Sequence, residues 1–332
     1  LVALLAMIGM TIYAIQSRNE AQHQQAEAEG LVEYMLTDLR TELKGVGRLD
    51  VMTKVNERAM DYYDDQADLS DMPAESLERR ARILHAMGED DEKRGDLDKA
   101  LAKFTEAHRV TAALLARDPE NPDRIFGHAQ SEYWVGYIAY MKNDWETVEK
   151  NWLNYRSLAR SLVESDPINI KWLREEGYAV GNLCTLELRR TDGGRSAISF
   201  CKASLQAMQL IMEAEPNSER AKQDLANRFG WLAEAQISNG DLGLALIEYS
   251  NQEKLIGTLV KQKPSDLSLL DQWVRILMTI AELHEKMGNF EKALSYVALA
   301  DAQAKKLIQR DPQNQKWQKW KHRINQIYQR RT

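Results

Sequence analysis

Histidine and cysteine are the residues of this sequence with the widest chemistry, and their spacing matches no catalytic or metal-binding motif. No histidine of the six is followed four residues later by another, and His284 in "HEKMG" lacks the second histidine of a zinc-protease helix. The sequence has no P-loop, no G-x-S-x-G and no Cys-x-x-Cys. The lone "GVG" at Gly45–Gly47 follows no strand and lacks the third glycine of a phosphate loop. We therefore predict a non-enzymatic protein with neither metal nor cofactor.

The sequence around these residues is organised as a long repeat, which is marked by proline. Five of the seven prolines are 48, 49, 48 and 48 residues apart, and we call them the periodic prolines: Pro119, Pro167, Pro216, Pro264 and Pro312. Glycine and proline are otherwise scarce, which favours helices over strands. A fixed period of this kind is typical of helical repeat proteins. We predict an all-α chain whose first helix in each repeat begins at the periodic proline.

A second pattern lies within each repeat. The segment "LHAMGEDDEKRGDLDKALAKFTEAHRV" resembles the tetratricopeptide (TPR) consensus, in which a small residue on the first helix and a large one on the second let two helices approach closely. Small residues recur at Gly88, Gly136, Cys184, Ala233 and Ala281. Groove residues recur 15 residues before each periodic proline, at Phe104, Trp152, Cys201, Tyr249 and Val297. The fixed spacing between the small residues and the groove residues predicts five antiparallel helix pairs.

The repeat length suggests a TPR-like α-solenoid with long helices. A 48-residue period exceeds the usual 34 residues by 14, which adds about two turns to each helix. We assign residues 70–312 to five TPR-like repeats and residues 17–69 to a helical hairpin that turns at Gly45–Gly47. Residues 313–332 form a capping helix whose apolar stripe is Trp317, Trp320, Ile324, Ile327 and Tyr328.

The first residues, "LVALLAMIGMTIYAI", are apolar on all sides. Three interpretations apply: a buried amphipathic helix, the core of a signal peptide, or the last part of a transmembrane helix that starts upstream. We favour the third, over residues 1–16, because a soluble core helix keeps a polar stripe and no small-residue cleavage site precedes the polar segment that follows.

The segments "AEGLVEYMLTDLRTELKGVGRLDVMTKVNERAMDYY", "GDLDKALAKF", "RDPENPDRIFGHAQSEYWVGYIAY" and "DPINIKWLREEGYAVGNL" together resemble a family of bacterial membrane-anchored TPR regions. In that family the region follows one membrane helix and an effector domain, which can be a Toll/interleukin-receptor domain, a kinase, a nucleotide cyclase or a winged-helix regulator. The resemblance implies a signalling scaffold in the inner membrane, with a single span and with the repeats in the periplasm.

TPR solenoids usually bind partners on the concave face, which the first helices form. Counting from the small residues, this face holds a tyrosine run at Tyr133, Tyr137 and Tyr140. Tyrosine suits a peptide groove because its ring is rigid and its tip is polar. The same count places acidic and histidine side chains on other repeats, which could favour a basic ligand: His85, Glu89, Glu92, Glu234, Glu282 and Glu285. The competing interpretation is packing against the next pair or plain exposure for the tyrosines, and simple solvation for the acidic side chains.

Cys184 and Cys201 face each other across the third predicted pair. They are either two buried thiols in place of small apolar residues, or a disulfide within the pair, which suits an oxidising compartment.

Net charge at pH 7 is −6, which argues against a general nucleic-acid binder. We expect a membrane-anchored scaffold that binds a protein or peptide and relays to an upstream effector. The alternative is a self-association module that oligomerises such an effector.

Overall fold

The computed structural model describes residues 9–20, scattered helical positions between 23 and 60, residues 69, 70 and 72–189, and residues 193–329. The fold is all-helical in these ranges, as the sequence predicts. From residue 74 onward the described helices are α1 Ala74–Arg94, α2 Leu97–Arg117, α3 Pro122–Met141, α4 Trp145–Ser165, α5 Ile170–Arg189, α6 Gly193–Ala214, α7 Glu219–Ser238, α8 Leu242–Gln262, α9 Leu267–Lys286, α10 Phe290–Arg310 and α11 Gln315–Gln329.

Each periodic proline lies in a turn three residues before a helix, and not in the first helical turn as expected from the sequence. The reason is a side-chain cap. The residue two positions after the proline accepts a hydrogen bond from a backbone N–H of the new helix, at 3.0–3.2 Å. These caps start α3, α5, α7, α9 and α11, and they are Asn121, Asn169, Ser218, Asp266 and Asn314.

The small and large residues of the repeat meet inside each pair. A Cβ built on Gly88 would lie 2.6 Å from the ring of Phe104, and one built on Gly136 would lie 2.5 Å from Trp152. Both rings are buried. In α7–α8 and α9–α10 the corresponding residues share one buried cluster, and they are Ala233, Tyr249, Ala281 and Val297. The close approach of two helices at a small residue therefore recurs along the chain.

The turn inside a pair also recurs. The residue seven positions after the small one has a left-handed backbone, with φ between 60° and 86°, in four of the pairs: Gly95, Asn143, Gly240 and Gly288. Glycine and asparagine are the residues that adopt this conformation most readily. The left-handed residue stops the first helix so that the second can return beside it.

The chain divides into two compact units, Leu1–Leu158 and Ala159–Thr332, with the boundary inside α4. In the first unit, α1 and α2 enclose one apolar cluster, and Phe104 of α2 packs with Ile138 of α3 in another. In the second unit, a large cluster runs from α7 to α11. Trp320, Ile324 and Ile327 of α11 are buried in that cluster.

The location predicted from residues 1–16 is wrong. Among the helices that the structure describes, none combines the length and the apolar character needed to cross a membrane. Helical residues 9–20 continue after Ile15 as the polar segment "QSRNE", so they do not supply the ~20 consecutive apolar residues that a membrane-spanning helix needs. The single-pass inner-membrane location and the periplasmic repeats are therefore not supported. Residues 1–8 lie outside the described residues.

The hairpin predicted over residues 17–69 falls mostly outside the described residues, as does its turn at Gly45–Gly47. The described positions within it up to residue 60, which include Gly30, Leu31, Tyr34 and Arg58, are helical, whereas Leu69 is not.

The third pair is joined covalently in the structure. Cys184 of α5 and Cys201 of α6 are fully buried and form a disulfide whose Cα atoms are 5.0 Å apart. They occupy the small and the groove position of this pair. A bond between two sulfur atoms thus takes the place of the contact between a small residue and a large one.

We predict that Gly136→Ala destabilises the fold by up to about 2 kcal/mol. A helical alanine gains about 1 kcal/mol over glycine, but the overlap with the buried Trp152 ring costs about 1–3 kcal/mol. Gly127→Ala, in the same helix with nothing within 4 Å of the added Cβ, is the control and should gain up to about 1 kcal/mol. Urea unfolding measures both variants, and equal gains would contradict the tight contact.

We predict that reduction lowers the stability of the unmodified chain by about 3 kcal/mol, because the disulfide closes a short loop in the unfolded state. Urea unfolding with and without reductant measures the change, and intact mass should rise by two hydrogen atoms. Cys184→Ala/Cys201→Ala is the control and should be insensitive to reductant. Identical curves for the unmodified chain would show two free thiols.

Candidate partner-binding surface

Three tyrosines lie along one face of α3, and we call them the tyrosine face: Tyr133, Tyr137 and Tyr140. Their spacing of four and three residues places them on successive turns. All three are partly buried. The rings of Tyr133 and Tyr137 are stacked with centroids 5.9 Å apart, so the face is built of rings that hold each other in place.

A second layer of aromatic rings supports the tyrosine face from behind. The Tyr133 ring lies 5.1 Å from Trp134, which in turn stacks on Phe104 of α2 at 4.7 Å. The Tyr140 ring lies 5.4 Å from Trp152 and 5.7 Å from Trp145, both on α4. Phe104 and Trp152 are the groove residues of two successive pairs. The repeat contacts therefore fix the rings to which the tyrosines attach.

An acidic group of α1 joins this face. The hydroxyl of Tyr137 donates a hydrogen bond to Glu92 Oε1 at 3.4 Å. Burial, and then the Glu92 charge, raise the pKa of Tyr137, so its phenol stays protonated as a donor. Glu89 is one turn earlier on α1 and is paired with Lys93 at 3.7 Å. The structure thus brings Glu92 and the tyrosine face together.

His85 of α1 is the one histidine among the predicted site residues. Its Nε2 is 2.8 Å from Ser131 Oγ of α3, and its ring is 6.1 Å from that of Phe104. Burial lowers the pKa of His85 to about 4, so the imidazole is neutral at pH 7. His85 therefore serves packing between α1 and α3 more than contact with a charged ligand.

The acidic residues predicted in the second unit do not share one environment. Glu234 of α7 is exposed, and Glu285 of α9 is partly buried. Arg323 of α11 donates two hydrogen bonds to the Glu282 carboxylate, each at 2.7 Å. This bidentate pair neutralises the charge of Glu282, which makes it a contact between α9 and the last helix.

Sequence reasoning missed Trp134, Trp145 and Tyr155, which surround the tyrosine face. The signal for them was the density of aromatic residues between positions 133 and 155. It missed Arg323 because that side chain meets Glu282 from a helix 41 residues away.

No family model matches the chain, and neither does any curated protein. Among solved structures, BtubC (BKLC) from P. vanneervenii is 13% identical, with a TM-score of 0.56 over 77% of this chain and 90% of that chain. The apo form of RapI is 11% identical, with a TM-score of 0.51 over 84% of this chain and 99% of that chain. The thermophilic TPR protein TTC0263 of Thermus thermophilus is 14% identical over 75% of this chain and 98% of that chain. Its TM-score of 0.38 is too low to carry an argument.

These likenesses concern the fold alone, since every identity is far below 25%. The recurring small–large contact and the left-handed turn define the class of protein: in the residues that the structure describes, the chain is an all-helical protein built of antiparallel helix pairs. The likenesses to BtubC and RapI agree with this fold.

We predict that His85 makes the fold less stable as pH falls from 6.5 to 4. Its folded pKa of about 4 is below the unfolded value of 6.5, so the unfolded state binds the proton first and acid favours unfolding. The contribution of His85 to the loss between pH 7 and 5 should be at most about 2 kcal/mol, and His85→Gln should reduce the loss by that contribution. His128, whose pKa is also lowered to about 4, adds a separate contribution that this variant keeps.

Urea unfolding at pH 7 and pH 5 measures this loss. His322→Gln, on the exposed side of α11, is the control and should keep the unmodified pH dependence. An unchanged pH dependence in His85→Gln would contradict the prediction.

Proposed function

We propose that this chain is a non-enzymatic, TPR-like scaffold that binds a protein or peptide through the tyrosine face. The observation that carries the proposal is the stacked array of Tyr133 and Tyr137 beside Glu92. Binding energy at protein interfaces concentrates in a few aromatic side chains that lose little entropy because neighbouring rings already hold them. The second layer formed by Trp134, Trp152 and Phe104 supplies this support.

The charge next to the tyrosine face favours a basic segment as the ligand. Glu92 shares a hydrogen bond with Tyr137, and Glu89 lies one turn away on the same helix. A lysine or arginine of the ligand could pair with these carboxylates while its stem lies on a tyrosine ring, which is also a cation–π arrangement. We therefore propose a ligand that combines a basic residue with an apolar or aromatic one.

The resemblance noted in the sequence adds a further step to this proposal. It implies that binding is relayed to an effector domain attached to the chain. Self-association is the competing function, in which the ligand is a second copy of the chain. The experiment below includes a measurement that distinguishes the two.

We predict that random peptides selected on the purified chain are enriched in Lys or Arg next to apolar residues. Fluorescence anisotropy then measures the affinity of one selected peptide. Alanine replacement of Tyr133, Tyr137 and Tyr140 should weaken it at least about tenfold, and so should Glu89→Arg/Glu92→Arg. Both variants must keep the helical circular dichroism of the unmodified chain.

Leu153→Ala is the matched control, because Leu153 is an exposed apolar residue of the same unit at a distance in sequence from the face. It should bind the peptide as the unmodified chain does. Equal affinity in all variants would show that the tyrosine face is not the binding site. Light scattering of the same samples should give a constant mass; a mass that rises with concentration and falls in the tyrosine variant would favour self-association.

A further inference from the structure

Two histidines and a glutamate that do not belong to the tyrosine face meet between α2 and α3. His108 comes from α2, while His128 and Glu132 are one turn apart on α3. One ligand atom from each of them lies within 4.8 Å of the others. Glu132 Oε1 is 3.0 Å from His108 Nε2 and 3.6 Å from His128 Nε2.

From this cluster we infer a binding site for one divalent transition-metal ion, with Zn²⁺ as the fitting metal and His108, His128 and Glu132 as its ligands. Two imidazole nitrogens and a carboxylate are a common zinc ligand set. With zinc–ligand bonds of 2.0–2.1 Å, the ligand atoms of a tetrahedral ion are about 3.4 Å apart. The two observed separations, 3.0 and 3.6 Å, lie on either side of that value.

The Glu132 carboxylate is the strongest argument for a cation. Its side chain is only 4% exposed, and Oε2 is buried with no hydrogen-bond partner. Oε1 accepts a hydrogen bond from the amide of Asn154 at 3.1 Å. A buried carboxylate with an unsatisfied oxygen is costly, and a cation bound at Oε1 would lower that cost by compensating the buried negative charge.

The orientation of His128 also fits a ligand. Its Nδ1 lies 3.0 Å from Thr111 Oγ1, and the Thr111 hydroxyl lies 3.0 Å from the Ala107 carbonyl oxygen. When Thr111 donates its proton to that carbonyl, it accepts the Nδ1–H of His128. The Nε2 lone pair then points toward Glu132 and away from its own backbone. Metal-binding histidines are commonly fixed by such a bond at their other nitrogen.

His108 is the most exposed of the three ligands, with a side chain that is 33% exposed. Water can reach the site from there and complete a tetrahedral shell, as it does in zinc sites with three protein ligands. The ion would tie α2 of one helix pair to α3 of the next. Both helices belong to the first unit.

Calorimetric titration of the untagged, chelator-treated full chain with Zn²⁺ tests the site. We expect one ion per chain, and a rise of the unfolding temperature when zinc is added. Co²⁺ in the same site should give the strong visible absorption of a tetrahedral complex. His108→Ala and Glu132→Gln should each weaken zinc binding at least about tenfold, because each removes one ligand.

His23→Ala is the matched control, because His23 forms an ordinary exposed pair with Glu27 at 3.7 Å. It should bind zinc as the unmodified chain does. If Glu132→Gln does not fold, His108→Ala tests the site alone. The His108 side chain is partly exposed, so we expect its removal to leave the fold intact. Absence of saturable one-to-one binding, or zinc affinity in His108→Ala equal to that of the unmodified chain, overturns the inference.

Discussion

The close approach of two helices at a small residue is the contact on which the rest of the structure depends. At Gly136 there is no room even for a methyl group, because the buried Trp152 ring occupies that space. The same steric condition recurs at Gly88 with Phe104. A ring pressed against bare backbone has a fixed position, and this position sets the distance between the helices of the pair. Packing of the neighbouring helices follows from that distance.

The positions of the tyrosine rings depend on this contact. Phe104 and Trp152 each fill a groove and also present a ring to the layer beneath the tyrosines. The residues that hold a pair together are thus the residues that hold the candidate binding surface. A substitution in the groove is therefore expected to act on both stability and binding, whereas Glu92 lies outside the groove and can be changed for binding alone.

The repeat could be predicted from the sequence because its determinants are local. Small residue, groove residue, left-handed turn and cap recur at fixed spacings, and the helix pairs follow from them. Each first helix starts three residues after its periodic proline, because a cap such as Asn121 sets the start; in α3 a second proline, Pro122, is the first helical residue. Contacts between distant segments could not be read in the same way. The Glu282–Arg323 pair and the His108–His128–Glu132 cluster each depend on how one helix is rotated against another, which the spacing within one repeat does not determine.

The Cys184–Cys201 bond gives the third pair a mechanical property that the other pairs lack. A pair held by packing can be peeled apart by tension on the chain, and its whole length then becomes extensible. The segment between the two cysteines, 17 residues along the chain, is closed by a covalent bond and cannot extend. The disulfide therefore shortens the maximum extension of a stretched chain by roughly 60 Å. Under load, the third pair would lengthen by roughly 60 Å less than its neighbours, and reducing conditions would abolish the difference.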